Sequence, residues 1–416
     1  MAYSDTAAVG DPAEERRFAE IAYRRSTNPV EYFTELRAQG PLAVGHNPRR
    51  EVEVLNRADV EAVLRDTEVW SNAIPLMGSA EPVIPVGLDP PVHAEYRRLL
   101  DPAFSPRRMA ALAPQVTAHA NRLIDQFIAA GSVDFSQALA VPLPCSTFLD
   151  LLGIEQSELP RLLYWKDVMI HPAQLAGSFE AGQRLAAETA PVIYAYLYQT
   201  IADRRGKPGD DVISRLLEAR FEGGRALSDN EIARCLFQLI GAGLDTVTIS
   251  LECIFTYLAT HQADRQMIVD DPETINNLIE ELLRWESPVQ PAVPRRATRD
   301  TEIAGCPIKA GTVVSPLVAA ANIDPAVSGA DTVDVRRGDK RHLAFGGGPH
   351  RCLGSHLARM ELRAVVQEWH QRIPRYGLAD GYQVEWNNSR LRGVDHLQLQ
   401  WDPADTVTGA VTEASA

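Results

Sequence analysis

The stretch FGGGPHRCLGSHLARMEL, residues 345–362, places a single cysteine, Cys352, between a run of three glycines and a helical pattern. Consecutive glycines cost backbone entropy, so this loop is predicted to need positive φ angles or a close approach of another backbone. Cys352 comes where the N–H groups of a beginning helix are free and the helix dipole is positive. Both features favour a thiolate, and the sequence therefore predicts that Cys352 is a nucleophile or a metal ligand.

Two kinds of metal site are compatible with this loop. His350, Cys352 and His356 are close enough in sequence for a zinc site, although structural zinc usually takes four ligands and a second paired cluster. A single thiolate with Gly348 before it and Gly354 after it instead suits an axial ligand of haem iron, whose electron density is adjusted by backbone donors to the sulfur. Most free cysteines are small buried hydrophobes, but the polar, glycine-rich setting argues against that here.

The bulk composition indicates a globular protein of a reducing compartment. The chain has 416 residues, 45% hydrophobic and 23% charged, and its five cysteines form no CxxC pair. A net charge of −14 argues against nucleic acid as a partner. The N-terminal residues contain no apolar run, so we expect no signal peptide, no membrane association and a cytoplasmic location. The apolar stretch 235–247 is too short to span a bilayer and predicts a buried helix.

The hydrophobic periodicity predicts a mainly α protein with a minor β part. Residues 1–20 and the tail 403–416 are predicted to be disordered, and 21–402 to form a single large unit. Strands are expected at 50–55, 301–304, 311–317, 383–386 and 396–401, and residues 71–90 form an irregular, proline-rich loop. Helices are predicted at 29–39, from 56, and at 91–103, 107–130, 138–153, 158–170, 178–204, 211–220, 228–260, 273–286 and from Cys352 to about 370.

A second informative stretch is QLIGAGLDTVTIS, residues 238–250, within a long helix that is apolar almost all round. One interpretation is that Gly241 and Gly243 interrupt the helix and that Asp245 or Thr246 caps its continuation. The other is that the glycines admit a ligand while Thr246 bonds back to the preceding turn and distorts it, leaving Asp245 and Thr246 to supply protons.

A third motif is Glu281 and Arg284, three residues apart on one helix. By itself such a pair is a surface ion pair that contributes a few tenths of a kcal/mol.

Taken in order, the three motifs resemble those of the cytochromes P450, which are haem-thiolate monooxygenases. The matches are Phe345-x-x-Gly348-x-His350-x-Cys352-x-Gly354, Ala242-Gly243-Leu244-Asp245-Thr246 and Glu281-x-x-Arg284. The resemblance covers residues 28 to 402 and is to soluble bacterial members, similar to the camphor hydroxylase branch. It implies the cytochrome P450 fold, with a long central buried helix over a haem.

The resemblance also implies roles for individual residues. Cys352 is the iron ligand of haem b (iron protoporphyrin IX), O₂ is the co-substrate, and Asp245 and Thr246 are catalytic. Arg337 joins the structural pair of Glu281 and Arg284. The residues implied to bind the cofactor are His93, Arg97, Ala242, Arg295, Phe345, Gly346, His350, Cys352 and Gly354.

The substrate implied is a small apolar molecule, terpenoid, aromatic or polycyclic. The loop 71–87 contains no Tyr or Phe, so camphor itself is unsupported. Gln238 is polar on an otherwise apolar face, and it bonds either a substrate oxygen or nearby backbone. The predicted substrate-contacting residues are Ile74, Leu76, Gln238, Gly241, Ala242, Val293 and Leu391.

The resemblance implies electrons from NAD(P)H through a reductase and a ferredoxin. A basic patch for the ferredoxin is expected from Arg107, Arg108, Arg351, Arg359 and Arg363. Three alternatives remain: a peroxide-using haem enzyme, against which the Asp245–Thr246 pair argues, a non-catalytic haem-binding protein, and a zinc protein.

Overall fold

The computed structural model describes residues 12–45, 51–327, 329–387 and 391–407, and 58% of the chain is helical. The helices in chain order are α1 (Pro12–Thr27), α2 (Pro29–Gln39), α3 (Arg57–Arg65), α4 (Val92–Leu100), α5 (Pro106–Asp125), α6 (Pro142–Leu152), α7 (Leu159–Ile170), α8 (Pro172–Ala176), α9 (Phe179–Arg205), α10 (Val212–Glu218), α11 (Asp229–Gly243), α12 (Thr246–Thr260), α13 (Gln262–Asp270), α14 (Ile275–Glu286), α15 (Val318–Asn322) and α16 (Ser355–Arg372). The prediction of a mainly α fold is confirmed.

The minor β part forms three small sheets. The strands are β1 (Leu42–Val44), β2 (Val52–Val54), β3 (Trp70–Ser71), β4 (Ser132–Asp134), β5 (Arg295–Ala297), β6 (Thr301–Ile303), β7 (Cys306–Ile308), β8 (Val313–Pro316), β9 (Gly377–Leu378) and β10 (Gln398–Gln400). The largest sheet has the order β1-β2-β8-β5-β3, and its β2–β8 pair is parallel. The other two are β4-β10-β9 and the β6–β7 hairpin. The strand predicted at 383–386 is wrong, since only Trp386 pairs there, in an isolated bridge.

Two helix starts show how local sequence and distant residues share the capping role. Asn28 accepts a hydrogen bond from the N–H of Glu31 ahead of α2, as its sequence predicts. Asn56 precedes α3 but makes no such bond. Instead, the carboxylate of Asp324 accepts from the N–H of Arg57 at 2.7 Å. The first turn of α3 is therefore capped from a residue far along the chain.

The C-terminal helix α16 packs against α12, the second half of the long apolar segment. Trp369 packs edge-on to Phe255 of α12, with ring centroids 5.2 Å apart. Nearer its beginning, Leu357 belongs to the large buried cluster that also contains Leu236 and Ile240 of α11. The helix that follows the cysteine loop therefore shares buried clusters with both α11 and α12.

The structure corrects the predicted ends of the ordered chain. Residues 12–20 were predicted to be disordered but belong to α1. In the tail, Asp402 caps a short 3₁₀ turn, Pro403–Asp405, and Arg375 pairs with Asp405. These local partners order the chain up to residue 407. Residues 1–11 and 408–416 lie outside the described part, so the rest of the disorder prediction stays a prediction.

The segment Asp229–Thr260, which comprises α11 and α12, is long and apolar enough to cross a membrane by length and composition alone. In the structure 83% of its most apolar window is buried inside the protein, as expected for a core helix.

Candidate functional site

The cysteine loop has the strained, closely approached backbone that its glycines predict. Gly346 and Gly348 have φ angles of +67° and +64°. A Cβ added to Gly348 would collide with the carbonyl oxygen of Leu64 at the end of α3. The loop is closed by the N–H of Cys352, which donates to the carbonyl of Phe345 at 2.9 Å. The glycines are therefore required by both the turn and its contact with α3.

Replacing Gly348 by alanine should lower both stability and cofactor content. A non-glycine residue at positive φ costs about 1–3 kcal/mol, and the collision with Leu64 adds to this. The measurement is the thermal midpoint together with the haem absorbance per protein. Gly338→Ala is the matched control, because Gly338 has neither a positive φ nor an atom within 4 Å of an added Cβ. Equal midpoints for the two variants would contradict this account of the loop.

A bidentate ion pair that the sequence analysis missed supports the loop from α14. The guanidinium group of Arg359 donates to both carboxylate oxygens of Glu280, at 2.6 and 2.7 Å. The same group lies 4.4 Å from the ring centroid of Phe345. No sequence signal marks Glu280, because its partner is 79 residues away.

Cys352 differs from most of the other cysteines in its exposure. Cys145, Cys235 and Cys253 are buried, whereas Cys352 is exposed. Desolvation at the sulfur raises the pKa of Cys352 above its ordinary value, although the Gly354 N–H and nearby guanidinium groups oppose this. The thiolate at Cys352 therefore stays a prediction, which depends on the group that the sulfur binds. The loop supplies donors to the sulfur, but these do not outweigh desolvation.

Four predicted cofactor residues converge beside the loop. His93 of α4 and His350 have ring centroids 4.0 Å apart, and Arg97 donates to the carbonyl of Arg351 at 2.8 Å. Arg295 of β5 is only 2% exposed and donates to the carbonyl of Pro294. Buried nitrogens of this cluster without a hydrogen-bond partner among the described residues are His93 Nδ1, Arg295 Nε and both ring nitrogens of His350.

The electrostatics of this cluster favour an anionic partner. Desolvation and the neighbouring cations lower the pKa of His93 to about 4 and that of His350 to about 2. Burial lowers the pKa of Arg295 to about 10. Burial thus disfavours the positively charged forms of His93, His350 and Arg295, although these side chains bring several hydrogen-bond donors together. Bound carboxylates would accept from these donors and favour the charged forms.

The long apolar helix is interrupted at Leu244 and Asp245, between α11 and α12. The hydroxyl of Thr246 donates to the carbonyl of Ala242 at 3.1 Å, as the distortion hypothesis predicts. The thiol of Cys145 donates to the carbonyl of Leu244 at 3.2 Å. Asp245 occupies the capping position of α12 but makes no side-chain capping bond. The capping interpretation of Asp245 is therefore wrong, and its side chain is engaged elsewhere.

The carboxylate of Asp245 is held by two residues from the end of α7. His171 Nε2 lies 2.7 Å from one carboxylate oxygen, and Lys166 Nζ lies 3.2 Å from the other. Burial would raise the pKa of Asp245, but the hydrogen bond from His171 and the charge of Lys166 outweigh it, so the pKa is lowered. Lys166 also pairs with Asp167 at 2.6 Å. Sequence reasoning missed His171 and Lys166 because nothing local distinguishes them.

The predicted substrate residues are spread over several segments. Ile74 and Leu391 are buried, at 5% and 9% exposure, and Leu391 bridges to Val289. Leu76 packs at the edge of the core. The carbonyl of Val293 accepts from Arg295. The amide oxygen of Gln238 accepts from the N–H of Val86 at 3.2 Å, which is the predicted bond to nearby backbone.

Gly241 lies under two methionines. A Cβ added there would come within 2.7 Å of the sulfur of Met77 and 2.8 Å of the terminal carbon of Met169. At Gly243 a Cβ would meet the ring of Phe148 instead. The glycines of α11 thus allow close packing by neighbouring side chains.

The Glu281–Arg284 pair is buried and not a surface pair. Each residue is 3% exposed, and two nitrogens of Arg284 donate to the carboxylate at 2.8 and 2.9 Å. Arg337 approaches the same carboxylate at 3.1 Å, so the structure brings the three predicted residues together. Arg284 also donates to the carbonyls of Asn322, Ala330 and Thr332, each at 2.8 Å.

Replacing Glu281 by glutamine should destabilise the fold by about 3–5 kcal/mol, because Arg284 would be left as an uncompensated buried charge. The measurement is the shift of the denaturant midpoint, converted with the slope of each transition. Glu61→Gln is the matched control. Glu61 also pairs with two arginines, Arg57 and Arg65, but near the surface, and should cost about 1 kcal/mol or less. Equal shifts would show that burial of the network does not matter.

The zinc alternative finds no support in the side-chain arrangement. Within the ranges that the structure describes, no group of three or more His, Cys, Asp or Glu side chains is arranged to hold a metal ion. The triplet of His350, Cys352 and His356 is close in sequence but does not form such a group.

Comparison with known proteins identifies the family. The family profile described as Cytochrome P450 matches residues 151–371. A probable cytochrome P450 127A1 of Sinorhizobium fredii is 36% identical over 355 residues, which cover 84% of this chain and 83% of the relative. The chain belongs to the cytochrome P450 family. As a cytochrome P450 it is a monooxygenase, and thus an oxidoreductase.

Two further similarities support the family assignment. The erythromycin C-12 hydroxylase of Saccharopolyspora erythraea is 33% identical, over 87% of this chain and 90% of the relative. The crystal structure of CYP109E1 from Bacillus megaterium in complex with testosterone superposes with a TM-score of 0.83, at 28% identity, over 94% of this chain and 99% of that one. The predicted cytochrome P450 fold is therefore confirmed.

Cytochromes P450 carry haem and use O₂. The donor set of this chain fits such a group. The two carboxylates of haem need cations or hydrogen-bond donors when they are buried. The unpartnered nitrogens of His93, Arg295 and His350 supply such donors beside the cysteine loop. A metal ion deprotonates a thiol that coordinates it, which would overcome the raised pKa of Cys352.

Proposed function

We propose that this cytochrome P450 inserts one oxygen atom of O₂ into a small apolar organic substrate, with Cys352 as the thiolate ligand of haem b. The observation that carries the proposal is the position of Cys352, at the end of the glycine-rich loop and beside a buried cluster of donors that lack partners among the described residues. The haem, when bound, supplies the iron at which O₂ is activated, and electron donation from a thiolate favours O–O cleavage.

In this proposal, four residues orient the cofactor through its carboxylates. Arg295 and Arg97 provide charge, and His93 and His350 provide hydrogen bonds. The 4.0 Å contact of the two imidazole rings supports this role, because it places the unpartnered nitrogens of His93 and His350 close together. Phe345, Gly346 and Gly354 shape the loop around the sulfur, and Ala242 borders the opposite face. Binding of the carboxylates would raise the lowered pKa values of both histidines.

Asp245 and Thr246 are proposed to deliver protons to the reacting oxygen. Thr246 keeps its hydroxyl oxygen available as an acceptor, since its proton is donated to Ala242. The carboxylate of Asp245 lies 2.7 Å from His171 Nε2, and the two side chains are proposed to form part of the path by which protons reach Thr246. Lys166 fixes the second carboxylate oxygen, so that the first stays aimed at His171.

Electrons are proposed to come from NAD(P)H through a reductase and a ferredoxin. Cytochromes P450 need redox partners in general. The predicted basic patch must be reduced, because Arg108 pairs with Asp210 at 2.5 Å and Arg359 pairs with Glu280. Arg107, Arg351 and Arg363 are exposed and form no ion pair within the described part of the chain. These three are the proposed contacts for an acidic ferredoxin, and a cytoplasmic location is proposed with them.

The substrate class is proposed to be terpenoid, aromatic or polycyclic. Its site is proposed to lie between the loop 71–87, the face of α11 that carries Gln238 and Gly241, and the segments near Val293 and Leu391. Two of the relatives named above differ in the molecule that they act on or bind. One is an erythromycin hydroxylase, and the other was solved in complex with testosterone. Such a range supports an apolar site in which the side chains that line it determine which substrate is bound, while the oxidation reaction stays the same.

The test is to supply the haem-loaded protein with NADH, a ferredoxin, its reductase and isotopically labelled O₂. A panel of terpenes, aromatics and steroids would first be screened for the low-to-high-spin shift of the Soret band. The expected result is a product that carries one labelled oxygen atom. Product formation with peroxide but not with NADH would favour the peroxide-using alternative, and spectral shifts without any product would favour a binding protein.

A further inference from the structure

The side-chain amide of Gln238 has a fixed orientation. Its oxygen accepts a hydrogen bond from the backbone N–H of Val86, at 3.2 Å. A backbone N–H can only donate, so the amide oxygen must face Val86 and the amide cannot be reversed. The NH₂ group therefore lies on the other side of the amide. It has no hydrogen-bond acceptor among the residues that the structure describes.

Gln238 shares its face of α11 with two small residues, Gly241 and Ala242. Residues 238, 241 and 242 follow each other on one face of α11, at spacings of three and four. Over Gly241 the space is taken by Met77 and Met169. Methionine side chains are flexible and polarisable, and they adapt to ligands of different outline. A single oriented amide among adaptable apolar groups is the arrangement of a specificity contact in a ligand site.

We infer that Gln238 anchors the substrate by donating a hydrogen bond to an oxygen acceptor on an otherwise apolar molecule. The inference rests on the proposed function and narrows its substrate class. Since the free side of the amide can only donate, ketones, esters and ethers fit. A ligand whose only polar group is an ammonium does not fit, because it has no acceptor.

The helix also sets the distance between the anchored oxygen and the oxidised carbon. At 1.5 Å per residue, Gln238 lies about 6 Å along the axis of α11 from Ala242. In the proposed function the reacting carbon lies beside Ala242. The acceptor should therefore be roughly 6 Å or more from the carbon that is oxidised. Among the proposed substrate classes this favours polycyclic molecules, such as an oxidised four-ring skeleton.

The test compares two probes that differ by one ketone, 5α-androstan-3-one and 5α-androstane, on the haem-loaded full-length protein. Affinity is measured by the Soret spin shift and by calorimetry, which reports binding whether or not the iron responds. Two variants distinguish the role of the amide oxygen from that of the NH₂ group. Gln238→Leu removes both ends, whereas Gln238→Glu keeps an oxygen for Val86 and replaces the donor by an acceptor.

We expect the native protein to bind the ketone about 3- to 10-fold more tightly than the hydrocarbon. The preference should vanish in Gln238→Leu and reverse in Gln238→Glu. Equal affinities in the native protein, binding of neither probe, or a ketone preference that survives in both variants would overturn the inference. Failure of the proposed function would appear separately, as a missing thiolate signature in the carbon monoxide spectrum.

Discussion

Cys352→Ala should abolish the strongly red-shifted Soret band of the reduced carbon monoxide complex and reduce turnover to background. The reason is that alanine offers no sulfur to the iron, and thiolate donation is what shifts the band and favours O–O cleavage. The fold should persist, because Cys352 is exposed and its backbone bond to Phe345 does not involve the side chain. The measurement is the difference spectrum on both proteins at equal haem content.

Cys306→Ala is the control for Cys352→Ala. Cys306 is the other cysteine that is not buried, and it lies on β7, outside the cysteine loop. Its replacement should leave the spectrum unchanged. A red-shifted band that survives in Cys352→Ala would mean that another thiol ligates the iron. A native protein without any haem band would contradict the assignment of the loop as a haem site.

Asp245→Asn should lower product formation about 100-fold, while substrate binding changes little. General acid–base groups contribute about 10²–10⁴ to rates, and an asparagine cannot take up and release a proton, as the proposed role of Asp245 requires. Binding should be retained because both carboxylate oxygens are engaged by His171 and Lys166. The measurements are the turnover rate, its solvent isotope effect and the substrate-induced Soret shift.

Asp167→Asn is the matched control for Asp245→Asn. Asp167 pairs with the same lysine, Lys166, but its side chain is 41% exposed and makes no hydrogen bond to His171 within the described part of the chain. It should retain turnover within a few-fold. If the two variants lost activity equally, the lysine charge and not a proton path would be responsible. A loss of substrate affinity equal to the loss of rate would assign Asp245 to binding.

Much of the local structure could be predicted from the sequence, because it depends on residues close together in the chain. The Asn28-Pro29 start of α2 was predicted from its capping residue, and the positive φ angles at Gly346 and Gly348 from three consecutive glycines. The bond from Thr246 to Ala242 spans only one helical turn. Residues 12–20, predicted to be disordered, lie in α1, since polar composition does not by itself exclude a helix.

By itself the sequence determined the mainly α class, the cysteine loop and the motifs from which the catalytic residues are proposed. The tertiary structure decided which residues these side chains contact. His171 and Lys166 meet Asp245 across 74 and 79 residues, Val86 reaches Gln238 across 152, and Asp324 caps α3 across 267. Such pairs leave no periodic or local signature, because a hydrogen bond depends on where the packed helices and loops bring two atoms and not on their separation along the chain.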